Sequence, residues 1–388
     1  MNKRIKSILI VPTLMLAACS SVDVVNVKQA QELKDYGLVY NLPKTVIRIS
    51  VEAEKTVFVK GPYADYAEKL LGINKVLTAD KIEWSLSGFR IESHPEPDGD
   101  RYYLIRSRGK TAIENLSLSP EGFLVGINVQ NRFSGKDNET GDALSHGPAT
   151  DLQFTDLSVK NNFKEVKKTT YKEVKTDSTY KKIPVYHSSN ERKTLEEKAE
   201  EAANFLVKLR KRRFKLLAGM SDRDPPEGEA INTMITELDK TEEEYVALFT
   251  GKKRSEKITR QFTFTPSDIL EGKKIVLFRF SKEEGIITQD DTKGRPVAIE
   301  VTKAGNTGQI VQMIQNQEKL KEIKKGLYYR VPDNAVVRIL DDATVLASKQ
   351  IPVAQFGAVN VLPAKTFKKE GLVIEFYTEY GSIRSINK

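Results

Sequence analysis

The sequence of 388 residues predicts an α+β protein in which two β-rich regions flank a central antiparallel pair of helices. Residues 37–130 mostly alternate apolar and polar side chains with a period of two, which is typical of strands. Residues 194–250 change to helical spacing and open with Thr194-Leu-Glu-Glu197, a capping box. From residue 258 the period of two returns in short segments separated by turns, which predicts a C-terminal β-sandwich or small barrel.

Residues 1–18 have the layout of a secretory signal peptide. Three basic residues precede an apolar run that is too short to span a bilayer. The triplet Leu16-Ala17-Ala18 stands directly before Cys19, the single cysteine of the chain. This stretch is similar to the lipobox of bacterial lipoproteins, and the resemblance implies cleavage before Cys19 and its acylation. Several acyl chains anchor a protein stably, whereas one binds only marginally. The alternatives are an ordinary signal peptide with a chance cysteine, or a cysteine buried in a core.

We expect five segments along the chain. They are a signal peptide (1–18), an N-terminal β-rich domain (19–158), a lysine-rich linker or extended segment (159–190), a helical hairpin (191–255) and a C-terminal β-sandwich (256–388).

The N-terminal domain is predicted to contain four strands and one helix. The stretch TVIRISVEA puts Ile47, Ile49 and Val51 on one face. The stretches KIEWSLSGFRIES, RYYLIR and GFLVGINVQ also indicate strands, because they are rich in β-branched and aromatic residues. GPYADYAEKLLGI predicts a helix with Tyr66, Leu70 and Ile73 on one apolar face. The remainder, 131–158, is expected to form a loop.

A near-repeat of eight residues follows, FKEVKKTT and then YKEVKTDS. Its high charge leaves two alternatives open, a mobile linker or a charged edge strand.

The central segment predicts two helices of about 24 residues each, near 195–218 and 229–251. Their short connection predicts an antiparallel pair. On the first helix, only Arg213 interrupts the apolar face. We expect acids at the start of the first helix to approach bases after the second: Glu196, Glu197, Glu200 and Glu201 against Lys252, Lys253 and Arg254.

Eight short strands are predicted for the C-terminal segment. They are ITRQFTFTP, KIVLFRFS, VAIEVTK, LYYRVP, AVVRIL, TVLASKQI, GAVNVLP and LVIEFYT.

Several stretches in the same order resemble landmarks of one family of Bacteroidetes-type envelope lipoproteins. They are GLVYNLPKT, GPYADYAEKLLGI, LRKRRFKLLAG, EEYVALFTGK, LFRFS and YYRVP. That family is catalogued as a domain of unknown function (number 4831). The resemblance implies an outer-membrane or periplasmic setting, and it implies neither an activity nor binding residues.

The residues do not form a recognisable catalytic motif, and we expect neither an enzyme nor a cofactor. His94, His146 and His187 are far apart and lack partners at helical metal-binding spacing. The acidic pairs Asp290-Asp291 and Asp341-Asp342 are typical of turns, and adjacent residues on a strand face opposite ways. A hydrolase whose site assembles only in three dimensions remains the enzymatic alternative.

Two acidic stretches are weak candidates for calcium, because oxygen ligands at alternate positions suit a hard cation. They contain Glu96, Asp98 and Asp100, and Asp222, Asp224, Glu227 and Glu229. Neither matches an EF-hand, so solvated turn carboxylates are the simpler interpretation.

We do not expect nucleic acid as a partner, because an exported lipoprotein meets little of it, although one basic run resembles a nucleic-acid patch by composition. Without the signal peptide the chain has 59 basic and 53 acidic residues, a mild excess of +6. The basic run KLRKRRFK (208–215) lies on a predicted helix. We interpret it as a solvated face that could touch phosphate head groups.

We therefore expect a lipid-anchored protein of the outer membrane, facing the periplasm or the cell surface, that acts as a non-enzymatic binding or scaffolding subunit. The alternative is a glycan-binding lipoprotein that uses exposed aromatic side chains, unless these pack in the strand cores. The candidates are Trp84, Tyr102, Tyr103, Tyr328 and Tyr329.

Overall fold

A computed structural model describes most of the chain. The described residues are 21–29, 37–108, 116–129, 152–159, 161–176, 179–220, 228–316, 326–367 and 371–388. The predicted signal peptide and several candidates lie outside them: Cys19, His146, Asp222, Asp224 and Glu227.

The described chain is β-rich and also contains helices, which agrees with the coarse α+β prediction. The strands are β1 (Ser21–Asn26), β2 (Leu38–Val59), β3 (Lys81–Arg108), β4 (Leu116–Leu118), β5 (Leu124–Ile127), β6 (Phe163–Thr176), β7 (Thr179–Arg192), β8 (Lys252–Phe264), β9 (Ile275–Ser281), β10 (Gly285–Ile287), β11 (Arg295–Lys303), β12 (Gly326–Asp341), β13 (Thr344–Pro363), β14 (Val373–Tyr377) and β15 (Ser382–Asn387). The α-helices are α1 (Ala67–Leu71), α2 (Leu195–Leu217), α3 (Glu229–Thr250), α4 (Thr307–Gln315) and α5 (Ala364–Phe367).

Four sheets organise these strands, and neighbours within each sheet are antiparallel. The long sheet has the order β1-β3-β2-β8, and the five-stranded sheet has the order β10-β9-β11-β12-β13. The small sheet is β15-β14-β5-β4, and β6 and β7 form a separate two-stranded ribbon.

The first core lies between the long sheet and the five-stranded sheet. Ile47, Ile49 and Val51 are fully buried there, as the period of two in the sequence predicts. They pack in one cluster with side chains of β11 and β12, such as Ile299 and Val337. Burial of each such side chain contributes about 1.5–3 kcal/mol to folding.

The C-terminal strands do not form the self-contained sandwich that the sequence predicts. Strand β8 pairs with β2 in the long sheet, from Ile47↔Phe264 to Val59↔Lys252. Strand β14 pairs with β5, and so belongs to the small sheet. The prediction was wrong because a period of two identifies the buried face of a strand but not the strand or sheet that it meets.

Two long hairpins, β2–β3 and β12–β13, extend from the first core into a second core. The β2–β3 pairing breaks register between Asn41 and Pro43, and the β12–β13 pairing breaks between Val331 and Asp333. Beyond these bulges lies a second core, built from both halves of the chain: Val24, Tyr40, Leu42, Tyr103, Ile105, Leu124, Ile127, Leu327, Leu362, Ile374 and Phe376.

Helices α1, α2 and α3 form a third core at one end of the long sheet. Leu206 of α2 and Leu248 and Phe249 of α3 are almost fully buried in it. The predicted capping box is present, since Thr194 Oγ1 accepts a hydrogen bond from Glu197 N over 3.2 Å and Glu197 Oε2 accepts one from Thr194 N over 2.8 Å. None of the described helices has an apolar stretch long enough to cross a bilayer.

The acids of α2 do not meet the bases that follow α3. Lys252 to Arg254 begin β8 and are paired with the end of β2. The start of α2 instead meets α1 and the base of the ribbon. The observed pairs are Glu196 with Lys69, Glu197 with Lys164 and Glu201 with Lys193.

The third core and β1 lie at opposite ends of the long sheet. At one end Ser21 pairs with Arg108, and at the other Phe58 pairs with Lys81. The pairing of β2 runs from Leu38 to Phe58. At about 3.3 Å per residue this stretch of strand is about 66 Å long.

Candidate interaction surfaces

The carboxylates of the first calcium candidate are engaged by cations of the chain itself. Asp98 pairs with Arg330, and Asp100 pairs with Lys28. Glu96 lies 3.5 Å from Lys44 Nζ. In the described residues no group of three or more histidine, cysteine, aspartate or glutamate side chains is placed to hold a metal ion.

The Arg330–Asp98 pair lies where the bulges of the two long hairpins meet. Arg330 is 4% exposed and also donates a hydrogen bond from its guanidinium to Ala354 O over 3.3 Å. Burial lowers the pKa of Arg330, and the carboxylate of Asp98 opposes that shift. This ion pair connects one hairpin to the other, so its role is structural.

The two described histidines lie apart. His94 is half-buried, with its Nε2 3.6 Å from Glu96 Oε1, whereas His187 is exposed on the ribbon and contacts Thr170 Oγ1 at 3.0 Å.

The paired carboxylates also lie in different settings. Asp341 forms an ion pair with Arg295 at 3.1 Å, and Asp342 is exposed in a turn with a φ of 54°. Asp290 is exposed and Asp291 half-buried in another turn.

Four of the five aromatic candidates for glycan stacking pack against other parts of the protein. The Trp84 ring lies so close to Gly285 that a Cβ there would approach it to 2.7 Å. Tyr103 is buried and stacks on Tyr328, with ring centroids 4.5 Å apart. Burial raises the pKa of Tyr103. Tyr102 is half-buried, and the hydroxyl of half-buried Tyr329 accepts a hydrogen bond from Asn360.

Four exposed aromatic residues lie on the ribbon, and elsewhere in the described chain Phe214 of α2 and Tyr377 of β14 are also exposed. The register of the ribbon places Tyr186 opposite Thr169, Tyr171 opposite Pro184, and Tyr180 opposite Lys175. Directly opposed residues share a face, so the three tyrosines lie on one face, together with Phe163. The three tyrosines are 66–74% exposed. We call this the tyrosine face; the other face carries Val166, Val174, Ile183 and Val185 among lysines.

The eight-residue near-repeat was a signal for this face. Eight is an even number, so equivalent residues of the two copies fall on the same side of a strand. Phe163 and Tyr171 therefore share one face, and Val166 and Val174 share the other. The sequence left a linker or an extended segment open, and the residues form a β hairpin.

Charged hydrogen bonds fix the base of the ribbon to α2. Lys164 Nζ donates to Glu197 Oε1 over 2.5 Å, and Lys198 Nζ donates to Asn162 Oδ1 over 2.8 Å. The bonds from Lys164 and from Thr194 lower the pKa of Glu197 to about 2. Beyond this base, the only extensive contacts of the described ribbon are those between its own two strands.

A groove runs along one side of the α2–α3 pair. On the other side, Arg213 lies 2.7 Å from Asp239 and Arg210 lies 2.7 Å from Glu242, so the helices are joined there by ion pairs. The groove has a volume of about 470 Å³. It is lined by Phe205, Lys208, Leu209, Arg212, Thr233, Met234, Glu237, Leu238 and Thr241.

A family model described as "Domain of unknown function (DUF4831)" matches residues 36–384 of the chain. The match includes residues of all three cores and the ribbon. No curated protein and no solved structure matches the chain.

Proposed function

This chain belongs to the DUF4831 family, a domain of unknown function, and from that premise we propose that it is a lipid-anchored protein of the outer membrane. In this proposal it faces the periplasm or the cell surface and acts as a non-enzymatic binding or scaffolding subunit of an envelope assembly.

The anchor is supported by the sequence around Cys19 and by the position of β1. Ser21 opens β1 only two residues after Cys19, at one end of the long sheet. An acyl group at Cys19 would therefore leave the cores undisturbed.

The tyrosine face is the observation on which the binding role depends. Soluble proteins seldom expose contiguous apolar patches without a partner for them. A two-stranded hairpin is also marginally stable by itself in water. Three exposed tyrosines on such a ribbon therefore favour a surface that a partner covers.

The anchor is tested by Cys19→Ala, with Ser20→Ala as the matched control. We expect the cysteine variant to lose acylation and to leave the detergent phase in a detergent-partitioning assay, while Ser20→Ala stays in it. Equal partitioning of the two variants would contradict the anchor.

The binding role is tested by the double variant Tyr171→Ser/Tyr186→Ser. Its control is Val174→Ser/Ile183→Ser, which changes the opposite face of the same ribbon. The acylated proteins are captured from native membranes, and partners are quantified by mass spectrometry. We expect co-purifying envelope proteins to fall at least tenfold only in the tyrosine variant. An unchanged set of partners would rule out the tyrosine face as the binding surface.

Glycan binding is the second candidate, and the spacing of the tyrosines favours it. Tyr171 and Tyr186 are diagonal neighbours, at about 7–8 Å between Cα atoms. Tyr180 lies about 20 Å further along β7. Aromatic rings in a row offer flat faces to successive sugars of a chain. Calorimetric titration with envelope polysaccharide tests this, and equal affinity of the tyrosine variant and its control would exclude it.

A further inference from the structure

The groove between α2 and α3 has one apolar stripe from each helix. Phe205 and Leu209 are four residues apart on α2, and Met234 and Leu238 are four residues apart on α3, so each pair lies on one helix face. Leu238 and Met234 are only half-buried, although their spacing is that of core residues. The helices thus leave an apolar surface uncovered on this side.

The groove is large enough for a small ligand. Phe205 in its lining packs on Tyr245 of the third core, with ring centroids 4.4 Å apart. The volume of about 470 Å³ falls within the range of about 300–1,000 Å³ that is typical of small-ligand sites.

Two cations line the α2 wall of this groove. Lys208 and Arg212 are separated by one helical turn, and the α3 wall contributes one anion, Glu237. In the described part of the chain neither cation forms an ion pair, whereas the neighbouring Arg210 and Arg213 do. An arginine and a lysine one turn apart suit a carboxylate or phosphate group.

We propose that this groove binds an anionic amphiphile, a single acyl chain with a carboxylate or phosphate head. The chain lies against the apolar stripes, and the head lies against Lys208 and Arg212. This ligand is distinct from the proposed anchor at Cys19, because the long sheet places about 66 Å of strand between the two ends.

The proposal is tested on the mature chain, residues 19–388, carrying Cys19→Ala so that no covalent acyl chain competes. The probe is the fluorescent polyene fatty acid cis-parinaric acid, with dodecanoic acid, monododecyl phosphate and dodecanol as competitors. We expect saturable binding that both anions displace, with dodecanol at least tenfold weaker as a competitor. The two anions distinguish a carboxylate-preferring site from a phosphate-preferring one.

Two variants and a matched control locate the site. Lys208→Glu/Arg212→Glu should weaken probe binding at least tenfold, and Leu238→Trp should abolish it by filling the groove. The control, Lys211→Glu/Lys215→Glu, changes the same number of charges on exposed positions of α2 outside the groove. We expect it to bind within twofold of the parent. Circular dichroism shows that each variant keeps its helices.

Three results would overturn the proposal. They are the absence of saturable binding, an equal loss in the control and the groove variants, and unchanged binding by folded Leu238→Trp.

Discussion

At the residue scale, the buried pair of Arg330 and Asp98 joins the two long hairpins at the level where both lose register. A buried ion pair adds little stability compared with apolar side chains of the same size. Removing one partner is different, because it leaves the other charge desolvated. The pair therefore matters chiefly for how the hairpins are aligned.

Arg330→Met should lower the free energy of unfolding by about 3–5 kcal/mol, because Asp98 then loses its partner in a site that is largely closed to water. The double variant Arg330→Met/Asp98→Asn should recover part of that loss. Urea denaturation of the two single variants and the double variant measures the coupling. Strictly additive losses would show that the two side chains do not interact.

Gly357, which lies where the β12–β13 pairing breaks register, should tolerate no side chain. A Cβ at Gly357 would lie 1.8 Å from Val331 O, whereas a Cβ at Gly99 would meet no atom within 4 Å. We expect Gly357→Ala to cost at least about 2 kcal/mol and Gly99→Ala under about 1 kcal/mol. Thermal unfolding of both variants checks this, and similar melting temperatures would contradict the close approach of β12 and β13 at this point.

At the element scale, the ribbon depends on the start of α2 for its attachment. The pKa of Glu197 is lowered from 4.5 to about 2 by its bonds with Lys164 and Thr194. A carboxylate with a lowered pKa stabilises the fold above its unfolded pKa, and this contribution is lost as the pH falls from about 4.5 to about 2.

Glu197→Gln should therefore flatten the pH dependence of stability between about pH 2 and 4.5. The control is Glu200→Gln, which changes an exposed acid one turn along the same helix. Unfolding free energies from urea titrations at several pH values give the comparison. Identical slopes for Glu197→Gln and the parent would show that Glu197 titrates normally in the folded protein.

The apolar residues between α2 and α3 should differ in how much they contribute to the free energy of unfolding. Leu206 is fully buried, so Leu206→Ala should cost about 2–5 kcal/mol. Leu238 lines the groove and is only half-buried, so Leu238→Ala should cost about 1 kcal/mol. Chemical denaturation ranks them, and equal losses would mean that the groove is closed in solution.

The sequence predicts elements of this fold better than their connections. Alternation identified the buried face of β2 at Ile47, Ile49 and Val51, and the capping box located the start of α2. The stretch HPEPDGD, in contrast, looks like a turn yet lies within β3, because a wide bulge and a turn use the same residue types. In the same way, Pro332 separates two predicted strands, LYYRVP and AVVRIL, whereas in the structure both belong to the continuous strand β12.

The surfaces were harder to predict than the cores. Lys208 and Arg212 stand in a run of basic residues, and only the packing of α3 separates them from Arg210 and Arg213. Four of the five aromatic candidates from the sequence pack against the rest of the protein. The sequence could not show this, because a strand pattern does not reveal what covers each face. The tyrosine face could have been found, since an even-numbered repeat aligns its aromatic residues.

At the scale of the whole molecule, the proposed anchor and the proposed binding surfaces lie at opposite ends of the long sheet. Cys19 precedes β1 at one end, and α2, α3 and the base of the ribbon lie at the other. An upright molecule would hold its binding surfaces away from the membrane in which it is anchored.

Fluorescence energy transfer to labelled lipids measures this separation, because an acylated Cys19 leaves no other thiol in the chain. A donor placed by Val39→Cys, near the end of the long sheet where β1 lies, should transfer efficiently to acceptor lipids. A donor placed by Lys75→Cys, between α1 and β3, should transfer far less. Equal efficiencies would mean that the long sheet lies flat on the membrane.

The pairing of β1 with β3 has a mechanical consequence. If the N-terminus is fixed in a membrane and a partner pulls on the far end, the force acts along the strands. Six residue pairs, from Ser21↔Arg108 to Asn26↔Tyr103, would then be loaded together in shear. Bonds loaded together must break together, whereas a hairpin pulled from its open end would unzip one pair at a time. The β1–β3 pairing would thus act as a tensile clamp between the membrane and the rest of the molecule.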